Sequence, residues 1–453
     1  MTLRFGTDGV RGVANTELTP ELAVAFARAS VSVLARDGGV SRFLVARDTR
    51  ESGDMLEAAV AAGLCSAGAE VMLCGVIPTP ALSCLVPEAG ASGGIMISAS
   101  HNPYEYNGLK FIDHAGDKLS EAEEAAIESC AYEAECARPS PLAGRVGRAN
   151  GLVTAYAKRL RSFAPAGRIH GVCIVVDCAH GALSELAPRV LTELGAGVIP
   201  LNCSPTGTNI NDGGAVKPQR LAEEVRQHAA VAGLAFDGDG DRLVMVDEKG
   251  AVIDGDQILG IWAKDLAARG ALADDLVVGT VLTNGGLELF LSSFGCRLLR
   301  APVGDRYVAA QMAGAGAALG GETCGHIIYA PHLSSSDALL TGIAILGIVA
   351  RSGMPLSALA AAIAKRPQVS LNLPMERGHE ILDDPDIRLA VSEAEGALGL
   401  QGRVVVRPSG TEPVVRITCA CDDERQARAV AEELATVVER CADRERAHAD
   451  IAA

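Results

Sequence analysis

Three aspartates alternate with glycines in the run Asp237-Gly238-Asp239-Gly240-Asp241-Arg242, here called the aspartate loop. Apolar segments flank this run, Leu234-Ala235-Phe236 before it and Leu243-Val244-Met245-Val246 after it, and both are typical of strands. Glycines let the backbone turn tightly enough to direct all three carboxylates to one side. Carboxylate oxygens with room for a further ligand suit Mg²⁺, which rarely takes a cage made only of protein. The aspartate loop therefore predicts a magnesium site between two strands.

Two other interpretations of the aspartate loop remain open. In a calcium-binding helix-loop-helix, the aspartates would occupy ligand positions one, three and five, and Glu248 would occupy position twelve. However, Arg242 stands at the sixth position, where a glycine makes the sharp turn, and the segment that follows is strand-like. The second alternative is an acidic turn that binds no metal.

The composition is that of a globular protein and excludes several classes of partner. The chain has 453 residues, of which 49% are hydrophobic and 21% are charged, so several domains with buried cores are expected. A net charge of −16 disfavours binding to nucleic acid or to anionic membranes, because both need a basic surface. An anionic ligand would instead need a local cluster of arginines.

The cysteines and the apolar runs predict a cytoplasmic protein. Thirteen cysteines at irregular spacings, without Cys-x-x-Cys pairs, favour neither a disulfide framework nor a zinc site. The first residues show no secretory signal. The longest apolar run, Ala338 to Ala350, is too short to span a bilayer and predicts a buried helix.

Alternating strand and helix patterns predict an α/β protein. Three α/β units with mixed sheets are expected over residues 1–150, 151–250 and 251–366, and a small α+β unit over residues 367–453. Each of the first three units has β-branched strand segments followed by amphipathic helical segments. The last unit combines alternating strands with a final helix that carries apolar residues on one face.

Three further motifs carry polar groups suited to chemistry. The run Ser98-Ala99-Ser100-His101-Asn102-Pro103, here the serine loop, follows a strand directly, at the end where ligands bind in open α/β sheets. The run Arg407-Pro408-Ser409-Gly410-Thr411-Glu412-Pro413, here the phosphate loop, offers a guanidinium, hydroxyls and backbone N–H groups to an oxyanion, with Arg416 just beyond. The run Glu322-Thr323-Cys324-Gly325-His326, here the sugar loop, suits sugar hydroxyls. Since no Walker A run or Gly-x-Gly-x-x-Gly loop is present, the expected substrate is a phosphorylated small molecule rather than a bound nucleotide.

The serine, aspartate, sugar and phosphate loops occur in this order, one in each unit, and the chain resembles the α-D-phosphohexomutase superfamily over essentially its whole length. The segments Phe5 to Gly12, Ser98 to Phe111 and Val303 to Tyr307 most resemble its bacterial branch that acts on glucosamine phosphates. The resemblance implies four domains around a central cleft, the last with a TATA-box-binding-like fold. This chain departs from the family pattern at Cys324 of the sugar loop, where a serine hydroxyl is usual.

The resemblance implies a residue-by-residue division of roles. Ser100 is expected to carry a phosphate, and one Mg²⁺ per subunit is expected between Ser100 and the aspartates. The implied groups are as follows: metal ligands Ser100, Asp237, Asp239 and Asp241; catalytic residues Ser100, His101, Lys110, Arg11, Arg242 and His326; substrate-binding residues Glu322, Cys324, Arg407, Ser409, Gly410, Thr411 and Arg416. Lys110 is the preferred general base, because burial in the cleft can lower the pKa of a lysine.

The expected activity is the interconversion of glucosamine 6-phosphate and glucosamine 1-phosphate through a sugar bisphosphate, feeding UDP-N-acetylglucosamine and cell-wall synthesis. The alternatives are the same reaction on glucose or mannose phosphates, a Mg²⁺-dependent sugar-phosphate phosphatase, and an inactive sugar-phosphate-binding regulator. No nucleic acid or membrane partner is expected, and a homodimer is compatible with the sequence.

Overall fold

The computed structural model describes residues 3–6, 8–35, 41–133, 140–149, 151–164, 169–375, 381–398, 402–408 and 414–452. Within these residues the chain forms four separate sheets, and helices cover them. The α/β class and the mixed sheets expected from the sequence are confirmed. No helix in the described ranges is long and apolar enough to cross a membrane.

The first sheet has seven strands in the order β1-β2-β6-β5-β3-β4-β7. Its strands are β1 Phe5–Gly6, β2 Gly9–Val13, β3 Arg42–Arg47, β4 Glu70–Val76, β5 Gly93–Ile97, β6 Tyr106–Asp113 and β7 Val146–Arg148, with helices α1 Pro20–Leu34, α2 Gly53–Ser66, α3 Thr79–Glu88 and α4 Glu121–Tyr132. Strand β3 pairs in parallel with β4 and β5, whereas β5 pairs antiparallel with β6. Thr19 caps α1 by accepting the Leu22 N–H, and Pro20 stands at the first helical position, where a helix has no use for a backbone N–H. The serine loop begins directly after β5, at the centre of this sheet.

The second sheet has five strands in the order β12-β11-β10-β8-β9. Its elements are α5 Leu152–Phe163, β8 Cys173–Asp177, α6 Leu186–Glu193, β9 Gly197–Leu201, α7 Gln219–Gln227, β10 Ala232–Phe236, β11 Leu243–Asp247 and β12 Val252–Ile253, with a short 3₁₀ turn at Gly214–Val216. Strands β10 and β11 form an antiparallel hairpin in which Phe236 lies opposite Leu243. The aspartate loop is the connection of this hairpin, so the strand assignment made from the apolar segments is confirmed.

The third sheet has four strands in the order β14-β13-β15-β16. Its elements are α8 Gly255–Ala268, β13 Leu276–Thr280, α9 Gly285–Ser292, β14 Arg297–Ala301, α10 Asp305–Ala315, β15 Leu319–Gly321, β16 Ile327–Tyr329, α11 Ala338–Ser352 and α12 Leu356–Ala361, with a 3₁₀ turn at Ala273–Asp275. The sugar loop connects β15 to β16, which pair antiparallel. Helix α11 is buried over Ala338 to Val349, as its apolar sequence predicts.

The fourth sheet is small and antiparallel, with strands in the order β17-β19-β18. Its elements are β17 Gln368–Pro374, α13 Pro385–Leu398, β18 Arg403–Pro408, β19 Val414–Ala420 and α14 Glu424–Ala452. These helices and strands share their own apolar core, which includes Ile387, Val415 and Leu434.

The first three sheets are joined by one continuous apolar core. This core contains Leu82 of α3, Leu234 of β10 and Leu339 of α11, one from each of the three regions. Helix α11 lies so close to β10 that a Cβ added at Gly342 would be 2.5 Å from the Leu234 Cδ2 atom. Interiors packed this closely have low compressibility. The core therefore holds the loops at the ends of the three sheets in fixed positions relative to one another.

Candidate active site

The serine loop holds Ser100 in a restrained backbone conformation. Ser100 is 1% exposed and has a φ of +51°, in the left-handed region that residues other than glycine seldom occupy. Its backbone N–H donates to the Ser98 Oγ atom at 2.9 Å. The turn therefore directs the Ser100 hydroxyl away from its own sheet and towards the aspartate loop.

Arg50, which lies outside the four sequence motifs, holds the serine loop by its backbone carbonyl groups. Its buried guanidinium donates to the backbone carbonyl oxygens of Ser100 and Asn102, each at 2.9 Å. The Asn211 side chain donates to the same two oxygens, at 2.8 and 2.9 Å. Arg50 also pairs with Asp48 at 2.9 Å, and although burial raises the pKa of Asp48, the Arg50 charge opposes that rise. Two polar side chains, one that follows β3 of the first sheet and one that follows β9 of the second, thus fix one loop.

The aspartate loop meets the serine loop directly. The Ser100 hydroxyl donates to the Asp237 Oδ2 atom at 2.7 Å. A Cβ added at Gly238 would lie 2.6 Å from the Ser100 carbonyl oxygen, so only glycine allows this approach. Burial, followed by the charges of Asp241 and Asp239, raises the pKa of Asp237 well above its usual value.

Lys110 of β6 lies among the carboxylates. Its Nζ atom is 2.7 Å from an oxygen of Asp8, 2.7 Å from Asp239 and 3.3 Å from Asp241. Burial lowers the pKa of this lysine, but the three carboxylates raise it more, so the pKa lies well above the ordinary value. The hypothesis of a lowered lysine pKa considered burial alone. In the structure Lys110 is a protonated counter-charge.

The three aspartates fit a hard cation. Their carboxylates offer one oxygen each within 4.8 Å of one another, and all three side chains are buried. The Asp239 Oδ2 atom accepts from Thr79 at 2.6 Å and from Lys110, whereas its buried Oδ1 atom has no hydrogen-bond partner in the described structure. A buried carboxylate oxygen without a donor is costly unless a cation binds it. The oxygen set suits Mg²⁺.

His326 connects the sugar loop to the aspartate loop. Its Nδ1 atom is 2.9 Å from the Glu322 Oε2 atom, and its Nε2 atom is 3.2 Å from the Asp241 Oδ1 atom. The Arg242 Nε–H group donates to the same Nε2 atom at 3.0 Å. Burial lowers the His326 pKa, but its polar neighbours Cys324 and Asp241 raise it well above its usual value. One ring nitrogen thus faces both a donor and an acceptor, and it can serve only one of them at a time.

His101 and Arg11 lie close to Arg242, Asp241 and His326, and the two differ in charge. Burial, then the positive charges of Arg242 and Arg11, lower the His101 pKa to about 3. The ring is therefore neutral near pH 7, and its buried Nδ1 atom has no hydrogen-bond partner among the described residues. Arg11 pairs closely with Asp8, which in turn contacts Lys110. The structure therefore brings all six predicted catalytic residues into one region.

The sugar loop presents Glu322 and Cys324 at the edge of this region. Glu322 is buried, and its Oε1 atom accepts the Gly304 N–H at 2.9 Å. Cys324 is exposed, and its thiol lies 3.9 Å from the Glu322 Oε2 atom. Only the carboxylate is positioned as a strong hydrogen-bond acceptor.

Two arginines of the fourth sheet are adjacent. Arg407 of β18 and Arg416 of β19 are directly paired in the antiparallel register, so their side chains share a face. Burial and then the Arg416 charge lower the Arg407 pKa, and the charge of Glu322 partly opposes this. Such a like-charge pair is suited to an anion. The predicted phosphate-binding residues Ser409, Gly410 and Thr411 lie outside the described residues.

Comparison with known proteins identifies the family. The family models for domains I, II, III and IV of phosphoglucomutase/phosphomannomutase match residues 2–137, 154–250, 254–366 and 371–437. The chain therefore belongs to the phosphoglucomutase/phosphomannomutase family and, by the relatives described next, to its phosphoglucosamine mutase branch of isomerases.

Curated relatives match almost end to end. A phosphoglucosamine mutase of Anaeromyxobacter dehalogenans is 43% identical over 95% of this chain and 97% of its own length. A phosphoglucosamine mutase of Desulforudis audaxviator is 45% identical over 96% of this chain and 97% of its own length.

Solved structures share the fold at low sequence identity. A phosphoglucomutase/phosphomannomutase family protein of Burkholderia thailandensis has a TM-score of 0.83 at 24% identity, covering 96% of this chain and 97% of that chain. An Aspergillus fumigatus N-acetylphosphoglucosamine mutase, solved in complex with GlcNAc-6P and magnesium, has a TM-score of 0.69 at 17% identity, covering 98% and 96%.

Replacing Arg50 should disable the serine loop. In Arg50→Ala the buried Asp48 loses its counter-charge, a change that costs about 3–5 kcal/mol when a buried ion pair is broken. We expect a lower melting temperature and at least about a tenfold lower kcat. Arg50→Lys keeps a charge but not the fork of donors, so it should recover stability more than kcat.

The control is Arg42→Ala, which removes an exposed ion pair with Glu70 and should change stability by less than about 1 kcal/mol. Thermal denaturation and steady-state kinetics measure both quantities. An Arg50→Ala enzyme with the wild-type kcat would show that Ser100 does not depend on the contacts of Arg50 with the serine loop.

Proposed function

We propose that the enzyme interconverts glucosamine 6-phosphate and glucosamine 1-phosphate. The observation that carries the proposal is the meeting of the serine, aspartate and sugar loops, in which Ser100 lies 2.7 Å from Asp237 and His326 lies 3.2 Å from Asp241. The names of the curated relatives support a glucosamine phosphate, and the fungal neighbour solved with GlcNAc-6P supports a phosphorylated hexosamine.

Ser100 is the proposed carrier of the phosphoryl group. A free sugar hydroxyl attacks phosphorus, the bond from phosphorus to the Ser100 oxygen breaks, and a sugar bisphosphate forms with the serine hydroxyl regenerated. After the bisphosphate turns end over end, Ser100 attacks its other phosphate, and the phosphoserine is restored. No phosphate or electron is gained or lost in the cycle, so the reaction is an isomerisation.

Asp237, Asp239, Asp241 and the oxygen on Ser100 are the proposed ligands of one Mg²⁺. When bound, the ion supplies charge neutralisation and orientation for the phosphoryl group. Lys110 contributes a second positive charge beside the same carboxylates, since its carboxylate neighbours raise its pKa. The Asp239 Oδ1 atom, which has no other partner among the described groups, supports this ligand assignment.

The protons of the reaction are proposed to move within the polar group around the serine loop. The attacking hydroxyl must lose a proton, and the leaving Ser100 oxygen must gain one. His101, Lys110, Arg11, Arg242 and His326 remain the candidates for these transfers and for stabilising the transferring phosphoryl charge. Their common neighbourhood supports a shared role rather than a single assigned base.

The fourth sheet is proposed to hold the substrate's non-transferring phosphate. Arg407 and Arg416 supply adjacent guanidinium groups, and Ser409, Gly410 and Thr411 are proposed to add hydroxyl and backbone donors. Because the same site would accept either phosphate of the bisphosphate, one arrangement serves both directions. Glu322 and Cys324 are proposed to contact the sugar between the two phosphates.

We place the enzyme in the cytoplasm, with a second copy of the chain as its proposed macromolecular partner. The described cysteines are free thiols, which suits a reducing compartment. Size-exclusion chromatography with light scattering would test the dimer, and a mass of 46.6 kDa at all concentrations would contradict it.

A substrate panel tests the proposed function. Purified enzyme should convert glucosamine 6-phosphate with at least about a tenfold higher kcat/KM than glucose or mannose 6-phosphate, because the sugar loop is proposed to contact the substituent at C2. Ser100→Ala, which retains the fold, should lose at least about 10³-fold in kcat since it lacks the nucleophile. Equal use of the three sugars would overturn the substrate assignment, and wild-type turnover by Ser100→Ala would overturn the phosphoserine route.

The sugar loop allows a sharper comparison of two neighbouring side chains. Glu322→Ala should lower kcat/KM several-fold more than Cys324→Ala, because a carboxylate is a strong acceptor and a thiol is a weak donor. Steady-state kinetics with glucosamine phosphate measures both variants against the wild type. A larger loss in Cys324→Ala than in Glu322→Ala would show that the thiol carries the recognition.

A further inference from the structure

Three different metal-binding side chains converge in the sugar loop. The Cys324 Sγ atom lies 3.9 Å from the Glu322 Oε2 atom and 3.8 Å from the His326 Nδ1 atom, and the latter two atoms are 2.9 Å apart. Sulfur, imidazole nitrogen and carboxylate oxygen are the ligands that zinc takes in proteins. The spacing Glu-x-Cys-x-His differs from the Cys-x-x-Cys pairs whose absence argued against a zinc site.

The triangle of ligand atoms has the size that a tetrahedral ion requires. With bond lengths of about 2.3 Å to sulfur and about 2.0 Å to nitrogen and oxygen, tetrahedral angles place the ligand atoms about 3.3 to 3.5 Å apart. Each observed edge differs from this by about 0.4 Å or less. Small side-chain rotations would therefore complete the site without moving the backbone.

Neighbouring groups hold the side chains of Glu322 and His326 in place. Glu322 uses its other oxygen to accept the Gly304 N–H at 2.9 Å, which fixes the carboxylate. With Nδ1 on a metal, the His326 Nε2–H group would donate to Asp241, 3.2 Å away. Metal-binding histidines usually donate their second N–H to a carboxylate in this way. The Arg242 Nε–H group would then have to turn from Nε2.

The group of Glu322, Cys324 and His326 differs from the other two groups of candidate metal ligands in its solvent exposure and in its ligand types. Cys324 is exposed, so a cation and a water ligand can reach it, whereas the aspartate loop offers only hard oxygen ligands. A further group, Asp384, Asp386 and Cys441, is already occupied by Arg444, which lies 2.5 and 2.8 Å from the two carboxylates.

We propose that Glu322, Cys324 and His326 bind one thiophilic divalent cation of the Zn²⁺ type, and that the bound cation inhibits the enzyme. Binding releases the Cys324 thiol proton to solvent, and a His326 ring that carries two protons also releases the one on Nδ1 and keeps the one on Nε2. The fourth position is left to water. Inhibition follows because the cation occupies Glu322 and Cys324, which are proposed to contact the sugar, and His326, a candidate for proton transfer. The inhibition rests on the proposed function, whereas the binding does not.

Direct metal binding is the first test. Full-length enzyme in excess Mg²⁺, which keeps the aspartate loop occupied, is titrated with Co²⁺ while the thiolate-to-metal charge-transfer absorption is recorded. Wild type should bind one equivalent through a thiolate, and Zn²⁺ should displace it. Cys324→Ser should lose the band, and Cys441→Ser, the matched control, should keep it. A band that persists in Cys324→Ser would overturn the site.

Inhibition is the second test. Zn²⁺ in excess Mg²⁺ should inhibit the wild type competitively with the sugar phosphate. The Zn²⁺ concentration for half-inhibition, relative to each variant's own rate, should rise at least tenfold in Cys324→Ser and stay unchanged in Cys441→Ser. Equal inhibition of Cys324→Ser would overturn the inhibitory role. An enzyme that binds Co²⁺ through Cys324 but isomerises no hexose phosphate would refute the proposed function and leave the metal site standing.

Discussion

The site depends on the concentration of buried negative charge around one lysine. Asp8, Asp239 and Asp241 all contact the Lys110 ammonium group, and Asp237 lies beside them against Ser100. Burying carboxylates costs several kcal/mol each unless cations and hydrogen bonds compensate them. Arg11 and Lys118 also pair with Asp8, so the negative charge that Lys110 leaves uncompensated lies on the three carboxylates of the aspartate loop. The excess negative charge is the physical reason for a cation at this position, and the raised pKa of Asp237 is its electrostatic signature.

The fold brings the charged side chains of the site together from three separate sheets. Lys110 comes from the first sheet, the aspartates from a hairpin of the second, and His326 from a hairpin of the third. One continuous apolar core joins the three regions, so the loops meet without a flexible connection. Lys118 adds a bridge at the edge, since it contacts Asp8 at 2.6 Å and Asp305 at 2.7 Å. Rigid placement lets short loops act as one site.

Sequence patterns predict the parts of this arrangement that are local. The aspartate loop, the serine loop and the sugar loop were recognisable because each follows an apolar strand and carries an unusual density of polar side chains. Arg50 and Asn211 were not recognisable, because their partners lie 50 and 111 positions away from them along the chain. A hint for Arg50 existed in the run Arg47-Asp48-Thr49-Arg50 at the end of β3.

The protonation of Lys110 also escaped prediction, and for a related reason. Burial alone lowers a lysine pKa, whereas the observed direction is set by three carboxylates that only the fold brings together. The helix predicted from the apolar run Ala338 to Ala350 differs from the structure only at its end, since α11 extends to Ser352. Ends depend on a few tertiary contacts, whereas the alternation of strands and helices depends on the pattern of the whole segment.

Metal binding measured separately from turnover tests the central claim most directly. Isothermal titration of Mg²⁺ into wild type and Asp239→Asn, in parallel with sugar-phosphate titration and steady-state kinetics, separates the three properties. The account predicts one Mg²⁺ per chain in the wild type, loss of that binding and of at least about 10²-fold in kcat in Asp239→Asn, and less than about a threefold change in sugar-phosphate Kd. Full wild-type turnover in excess chelator, or wild-type Mg²⁺ binding by Asp239→Asn, would contradict it.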